Sequence, residues 1–225
     1  MRDRRLIKPR AIGPGDRVAI VATSSPFPRD AFAAGVEELR RLGFDPVYDE
    51  GVFDRAGYLA GDPEARAHAF ARAVRDPSVA AVIAARGGYG CVDLLPLLRA
   101  DDLARHPKLV VGYSDVTALL TFLTRRCGIV ALHGPCVAAG LHAGPAGYDE
   151  STFVRALTAG EPLGVLPAES LDSLVPGEAS GPLHGGNLTQ VAASMGTPYA
   201  FEPPPGSVLF LEDVGERPYR VDRLL

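Results

Sequence analysis

Two hydrophobic periods alternate over the first 140 residues, and this alternation constrains the fold more than any other feature. A short β-rich apolar run, RVAIVA (17–22), passes through the loop TSSPFPRD into a helical pattern. That pattern has apolar residues at Phe32, Val36, Leu39 and Leu42, with Gly43 at the stop position. Residues 44–48 predict a second strand. Asp62-Pro63-Glu64 opens another helix, with Ala67, Phe70, Ala71 and Val74 on its inner face. Residues 79–84 and 109–113 read as buried strands, 116–127 as a helix closed by Gly128, and 129–132 as a further strand. Strands alternating with helices imply a parallel sheet covered on both faces, an α/β domain. Such sheets carry their sites at the carboxyl ends of strands. Three loops fall there: Thr23-Ser24-Ser25, 86–90 and 112–115.

The alternation breaks over 143–182, where Pro145, Pro162, Pro167, Pro176 and Pro182 punctuate the chain around one short helix candidate near 150–158. This stretch reads as a linker. After it, Gly185-Gly186-Asn187 leads into a short helix, LTQVAASM, stopped by Gly196, and 207–211 form a last strand. The division expected is an α/β domain over 1–142 with flavodoxin-like layers, a linker over 143–182, and the start of a smaller domain over 183–225. Asp222-Arg223-Leu224-Leu225 reads as the first turn of an amphipathic helix with no polar tail. The expectation is therefore a longer parent protein whose second domain is incomplete in this chain.

Composition narrows the function classes. Hydrophobic residues make up 47%, enough for a packed core, and the net charge of −4 offers no basic footprint for nucleic acid. The basic N-terminus is followed only by a short apolar run at 18–22, too short for a signal-peptide core or a membrane span. A cytoplasmic protein without a membrane partner is expected. Cys91, Cys127 and Cys136 lack metal-ligand spacing and read as buried reduced thiols; no metal or other cofactor is expected.

Several residues have the chemistry of a site. Ser114 lies where the strand LVVGY runs into the helix DVTALL, a sharp turn that exposes its hydroxyl beside the Asp115 N–H. Those are the mechanics of a nucleophile elbow, although the same position also suits a helix cap. In AVIAARGGYG, Gly87, Gly88 and Gly90 allow close backbone approach, and their N–H groups can stabilise an oxyanion or bind a carboxylate. They can equally form a plain tight turn. Arg86 can grip a substrate carboxylate or serve a structural ion pair. Glu212, at a strand end in LEDVGE, can orient a histidine, with Asp213 and Glu216 as rivals. Among the histidines, His68 and His106 read as solvated, His142 sits at the linker start, His184 precedes two glycines, and His133, in LHGPC, can line the site.

Taken in order, ARGGYG (85–90), GYSD (112–115), HGP (133–135), GGNL (185–188) and LFLEDVGERPYRVDRLL (209–225) resemble the LD-carboxypeptidase family from Gly15 onward. This family includes murein tetrapeptide carboxypeptidases and microcin C self-immunity peptidases. The resemblance implies a metal-free Ser-His-Glu peptidase with Ser114 as nucleophile and Glu212 orienting the histidine. It implies an oxyanion hole from the backbone of Gly88 and Asp115, and substrate contacts from Arg86, Gly87 and Ser24. It also implies an α/β domain joined to a smaller one with the site between them, and commonly a homodimer. The substrate implied is a small peptide, a cytoplasmic murein tetrapeptide cut before its terminal D-Ala during peptidoglycan recycling. The sequence departs from the family twice. Cys136 stands for a usual methionine. The family's catalytic histidine lies beyond the LED motif, where this sequence has no match. Lacking its base, Ser114 is a poor nucleophile, and the 225-residue chain is expected to be nearly inactive. Two other readings stay open besides an acyl-adenylate amide hydrolase of the microcin C type. One is a hydrolase using His133; the other is a non-catalytic small-ligand binder.

Overall fold

The computed structural model describes residues 6–165 and 172–225; Pro167 and the first five residues of the basic N-terminus lie outside the described residues. Five parallel strands form the main sheet: β1 (Arg17–Val21), β2 (Asp45–Val47), β3 (Val79–Ala84), β4 (Leu109–Gly112) and β5 (Leu132–His133). Their order is β2-β1-β3-β4-β5. Helices α1 (Arg29–Arg41), α2 (Pro63–Arg75), α3 (Ala100–Arg105) and α4 (Thr117–Phe122) lie in the crossovers.

The period-two alternation within strands builds two cores. Val18 and Ile20 of β1 join Phe32, Val36 and Leu39 of α1 on one face. Ala19 and Val21 join Phe70 and Val74 of α2 on the other. β3, central in the sheet, is buried at all six residues, as a strand covered on both faces must be. Local signals fix the helix starts. Asp62 accepts the Ala65 N–H at 2.7 Å and Pro63 takes the first helical position of α2.

Three local features differ from the sequence pattern. The helix expected over 116–127 is regular only to Phe122; it widens into a π turn over Leu123–Cys127 and ends at Gly128, φ 71°. The strand expected at 129–132 forms at Leu132–His133, because pairing with β4 starts at Val111 opposite Leu132. Ile129 bridges Ile7 instead. A 3-10 turn over Cys91–Leu97 follows β3; Pro96 and its short length hide it from a periodicity reading.

Within the 143–182 stretch, helix α5 (Glu150–Thr158) packs on the first layer. Phe153 and Leu157 are buried beside α1, the Leu157 carbonyl accepts the Ile12 N–H at 2.9 Å, and the Tyr148 hydroxyl reaches Glu38 at 2.6 Å. Farther on, β6 (Leu183–Asn187), α6 (Leu188–Ser194) and β7 (Val208–Glu212) make a small parallel pair, with α7 (Pro218–Leu224) after it. This pair docks onto α4. The Asn187 N–H donates to Thr117 Oγ1 at 3.1 Å, and Gly186 lies so close that a Cβ there would sit 2.6 Å from Thr117 Cγ2. Among the described residues, no helix is long and apolar enough to cross a membrane.

Candidate active site

The loops after β1, β3 and β4 converge at the carboxyl edge of the sheet, and Ser114 stands at their centre. Its φ is 59°, the single positive φ among the described non-glycine residues. That conformation costs an L-residue roughly 1–2 kcal/mol. Tyr113 before it is extended, and a 3-10 turn over Ser114–Val116 carries the chain into α4. No side-chain cap bond is made at the start of that turn or of α4. The Ser114 hydroxyl thus sits at a positive-φ turn with no cap bond recorded for it.

The glycine-rich loop lies directly against this turn. A Cβ on Gly87 would fall 3.0 Å from Ser114 Cβ and 3.3 Å from its Oγ, so a side chain there would crowd the serine. Gly88 is exposed with φ 115°. Its neighbour Tyr89 gives its N–H to Ser25 Oγ at 3.1 Å, while no hydrogen bond found among the described residues uses the Gly88 N–H. Asp115 turns its side chain inward. Its carboxylate is buried and accepts the Cys91 N–H at 2.8 Å. Burial raises its pKa, with the Ser24 hydroxyl and the Cys91 N–H working against the rise.

Two of the expected substrate contacts meet the protein's own loops. Ser24 is fully buried beneath the loop beside Thr23 and Asp115, and Ser25 is the serine that meets Gly88. Arg86 spends a guanidinium N–H on the Pro26 carbonyl at 2.7 Å, tying the β1 and β3 loops together.

Glu212 ends β7, in register with Asn187 of β6. Its Oε1 is buried without a hydrogen-bond partner. Burial pushes its pKa above the usual carboxylate range, with the Asn187 side chain opposing the rise. Its rivals are engaged elsewhere. Asp213 accepts the Thr189 N–H at 3.0 Å and hydroxyl at 2.6 Å, and Glu216 pairs with Arg220. His133 Nε2 lies 3.7 Å from Glu212 Oε1, too far for a hydrogen bond, and burial lowers the pKa of its imidazole. Phe210 and Tyr113 flank the His133 ring at 5.2 and 6.2 Å. His68, His106 and His142 are exposed, and His184 is half-buried on β6.

The three cysteines are buried, and burial pushes the Cys136 thiol up to about 12. A cleft of about 460 Å³ lies away from Ser114, between α2 and the β1–β2 edge.

A serine at positive φ on a strand-to-helix turn, packed against a glycine-rich loop, is an arrangement that suits a serine-type hydrolase. Sequence comparison narrows the class. Residues 18–134 match the LD-carboxypeptidase N-terminal domain and 180–225 the LD-carboxypeptidase C-terminal domain. The murein tetrapeptide carboxypeptidase of Pseudomonas aeruginosa is 38% identical over 217 residues, 93% of this chain and 70% of that protein. The muramoyltetrapeptide carboxypeptidase structure from Oxalobacter formigenes superposes with a TM-score of 0.80 at 31% identity, over 92% of this chain and 69% of that one. The structure of MccF with glutamyl sulfamoyl guanosine gives a TM-score of 0.86 at 26% identity, over 98% of this chain and 74% of that one. The chain belongs to the LD-carboxypeptidase family of serine-type peptidases.

Proposed function

We propose that this chain carries the nucleophile and acid of a peptidase that releases D-Ala from a murein tetrapeptide. The observation that carries the reading is a buried Glu212 oxygen that still lacks a donor, on the β6–β7 pair that docks against the helix following Ser114. Such an oxygen is an acceptor for an imidazole N–H. In the reaction, Ser114 Oγ attacks the amide carbonyl and gives its proton to a histidine whose other nitrogen donates to Glu212. The tetrahedral oxyanion takes hydrogen bonds from the Gly88 and Asp115 N–H groups. The histidine then protonates the departing D-Ala amine, and water hydrolyses the serine ester by the same proton path. The names of the Pseudomonas and Oxalobacter relatives support a murein tetrapeptide as substrate. Peptidoglycan recycling in the cytoplasm, a homodimer, and domains over 1–142 and 183–225 joined by a 143–182 linker belong to the same proposal.

None of the five histidines occupies the family position after the LED motif, so the 225-residue chain is expected to be nearly inactive. One observation favours a second reading, with His133 as the base: it already faces Glu212 at 3.7 Å. Release of D-Ala from murein tetrapeptide, measured on the chain and its Ser114→Ala and His133→Asn variants, separates the two. Release near background in all three supports the first reading. Turnover at about 1 s⁻¹ or faster, abolished by His133→Asn, establishes the second. Fast turnover untouched by Ser114→Ala overturns both.

A further inference from the structure

Arg66, on the inner side of α2, is buried to 3% exposure, an unusual place for a guanidinium. Its Nη1 donates to the Thr23 carbonyl at 2.6 Å and to the Gly90 carbonyl at 3.0 Å. Thr23 is in the loop after β1, and Gly90 is the last residue of the glycine-rich loop after β3. The remaining Nη2 lies 3.8 Å from the Asp93 carboxylate, too long for a hydrogen bond, and Nε has no partner. Gly90, φ 106°, has no room for a side chain: a Cβ there would lie 2.4 Å from Leu59 Cδ2 and 3.2 Å from Arg66 Nη1. On the far side, the Asp115 carboxylate, one residue after Ser114, takes the N–H of Cys91 at 2.8 Å. The exit of the glycine-rich loop is therefore gripped at two successive residues: Arg66 holds the Gly90 carbonyl, and the residue after Ser114 holds the Cys91 amide.

We infer that Arg66 is a positioning residue, which sets the glycine-rich loop at its working distance from Ser114. The inference rests on the proposed role of Ser114 and Gly88, and it adds a residue that touches neither substrate nor nucleophile. The physical reason is direct. An oxyanion donor must sit within a few tenths of an ångström of its place, and a loop of three glycines has too little side-chain packing to hold itself there. A charged donor bonded to two loop carbonyls supplies that restraint, because hydrogen bonds to an ionised group are roughly twice as strong as neutral ones.

The test uses the 225-residue chain with Arg66→Met, which keeps most of the side chain's apolar length, and Arg66→Lys, which keeps a cation able to reach the carbonyls. Amide hydrogen exchange reads the loop without any need for catalysis. In Arg66→Met, exchange of the Tyr89–Val92 amides is expected to rise at least tenfold while peptides from α1 and α5 stay unchanged, and Arg66→Lys is expected to restore most of the protection. A second arm measures covalent capture of Ser114 by a fluorophosphonate at alkaline pH, where hydroxide relieves the need for a base. The maximal capture rate is expected to fall about tenfold in Arg66→Met with little change in the half-saturating concentration, again with recovery in Arg66→Lys. Unchanged exchange at 89–92, or a rise spread evenly over the chain, overturns the inference. If Arg66→Met does not fold, Arg66→Lys decides alone: capture and loop exchange equal to wild type support the inference, and a tenfold loss of capture with native loop protection overturns it. Failure of the wild-type chain to be captured at Ser114 counts against the nucleophile, whereas the exchange result still decides Arg66.

Discussion

Substituting Glu212 by glutamine is expected to raise the stability of the fold at neutral pH. The carboxylate is mostly withdrawn from water, with its side chain 28% exposed, and Oε1 is buried without a donor. A buried group left unsatisfied costs about 1–3 kcal/mol, and more when it is charged. Glutamine removes only the charge, and the residual exposure and the Asn187 side chain keep that difference small, so the neutral amide should gain ~1 kcal/mol, or about 2–4 °C in Tm for a chain of this size. Linkage fixes the pH dependence. Burial raises the folded-state pKa above the unfolded value, so the penalty is absent below the unfolded pKa of about 4.3 and grows as pH rises through the folded pKa. Urea unfolding at pH 4, 5.5 and 7.5 should show the gain of Glu212→Gln over wild type shrinking toward zero at the acid end. A variant less stable than wild type at pH 7.5, or one equally favoured at pH 4, would refute the claim that Glu212 is held as an unpaired charge.

Two further outcomes follow from named contacts. Ser114→Gly should be about 1 kcal/mol more stable than Ser114→Ala, because glycine relieves the φ of 59° and alanine does not; equal melting temperatures would remove the argument for strain. Glu38→Gln should cost about 1.5 kcal/mol at pH 7, since it breaks the bonds that Arg41 and Tyr148 make to a buried carboxylate. Those bonds, Arg41 first, hold the Glu38 pKa low, so its contribution is present above the unfolded pKa and lost as pH falls through the folded one. A urea-measured gap that stays constant down to pH 3 would contradict this.

The layered sheet was readable in the sequence because its causes are local. RVAIVA, AVIA and LVVG are apolar at nearly every position, and Asp62 and Gly43 mark where helices open and close. Ser114 was readable by its place at a strand end, but not its φ or its close approach to Gly87, which lies far earlier in the chain. The burial of Ser24 was hidden for a related reason. In Thr23-Ser24-Ser25 only the path of the loop decides which hydroxyl faces out, and the sequence does not carry that path. Arg66 escaped notice altogether, since its partners are the carbonyls of Thr23 and Gly90 and every residue has a carbonyl. The nearest available signal was an arginine next to Ala67, on the face otherwise filled by Phe70 and Val74. The closeness of His133 to Glu212 depends on how the β6–β7 pair sits on α4, a contact between segments about 50 to 80 residues apart.

The bond from the Asn187 amide to Thr117 Oγ1 bears on how chain length can vary. Thr117 starts the helix that follows Ser114, and Asn187 stands beside Glu212 in the β6–β7 ladder. The proposed nucleophile and acid are thus linked through one short bridge between α4 and the β6–β7 pair. Closing a longer loop is cheap, about 0.6 kcal/mol for each doubling of length. A change in chain length between α5 and β6 is therefore expected to cost little while that bridge holds.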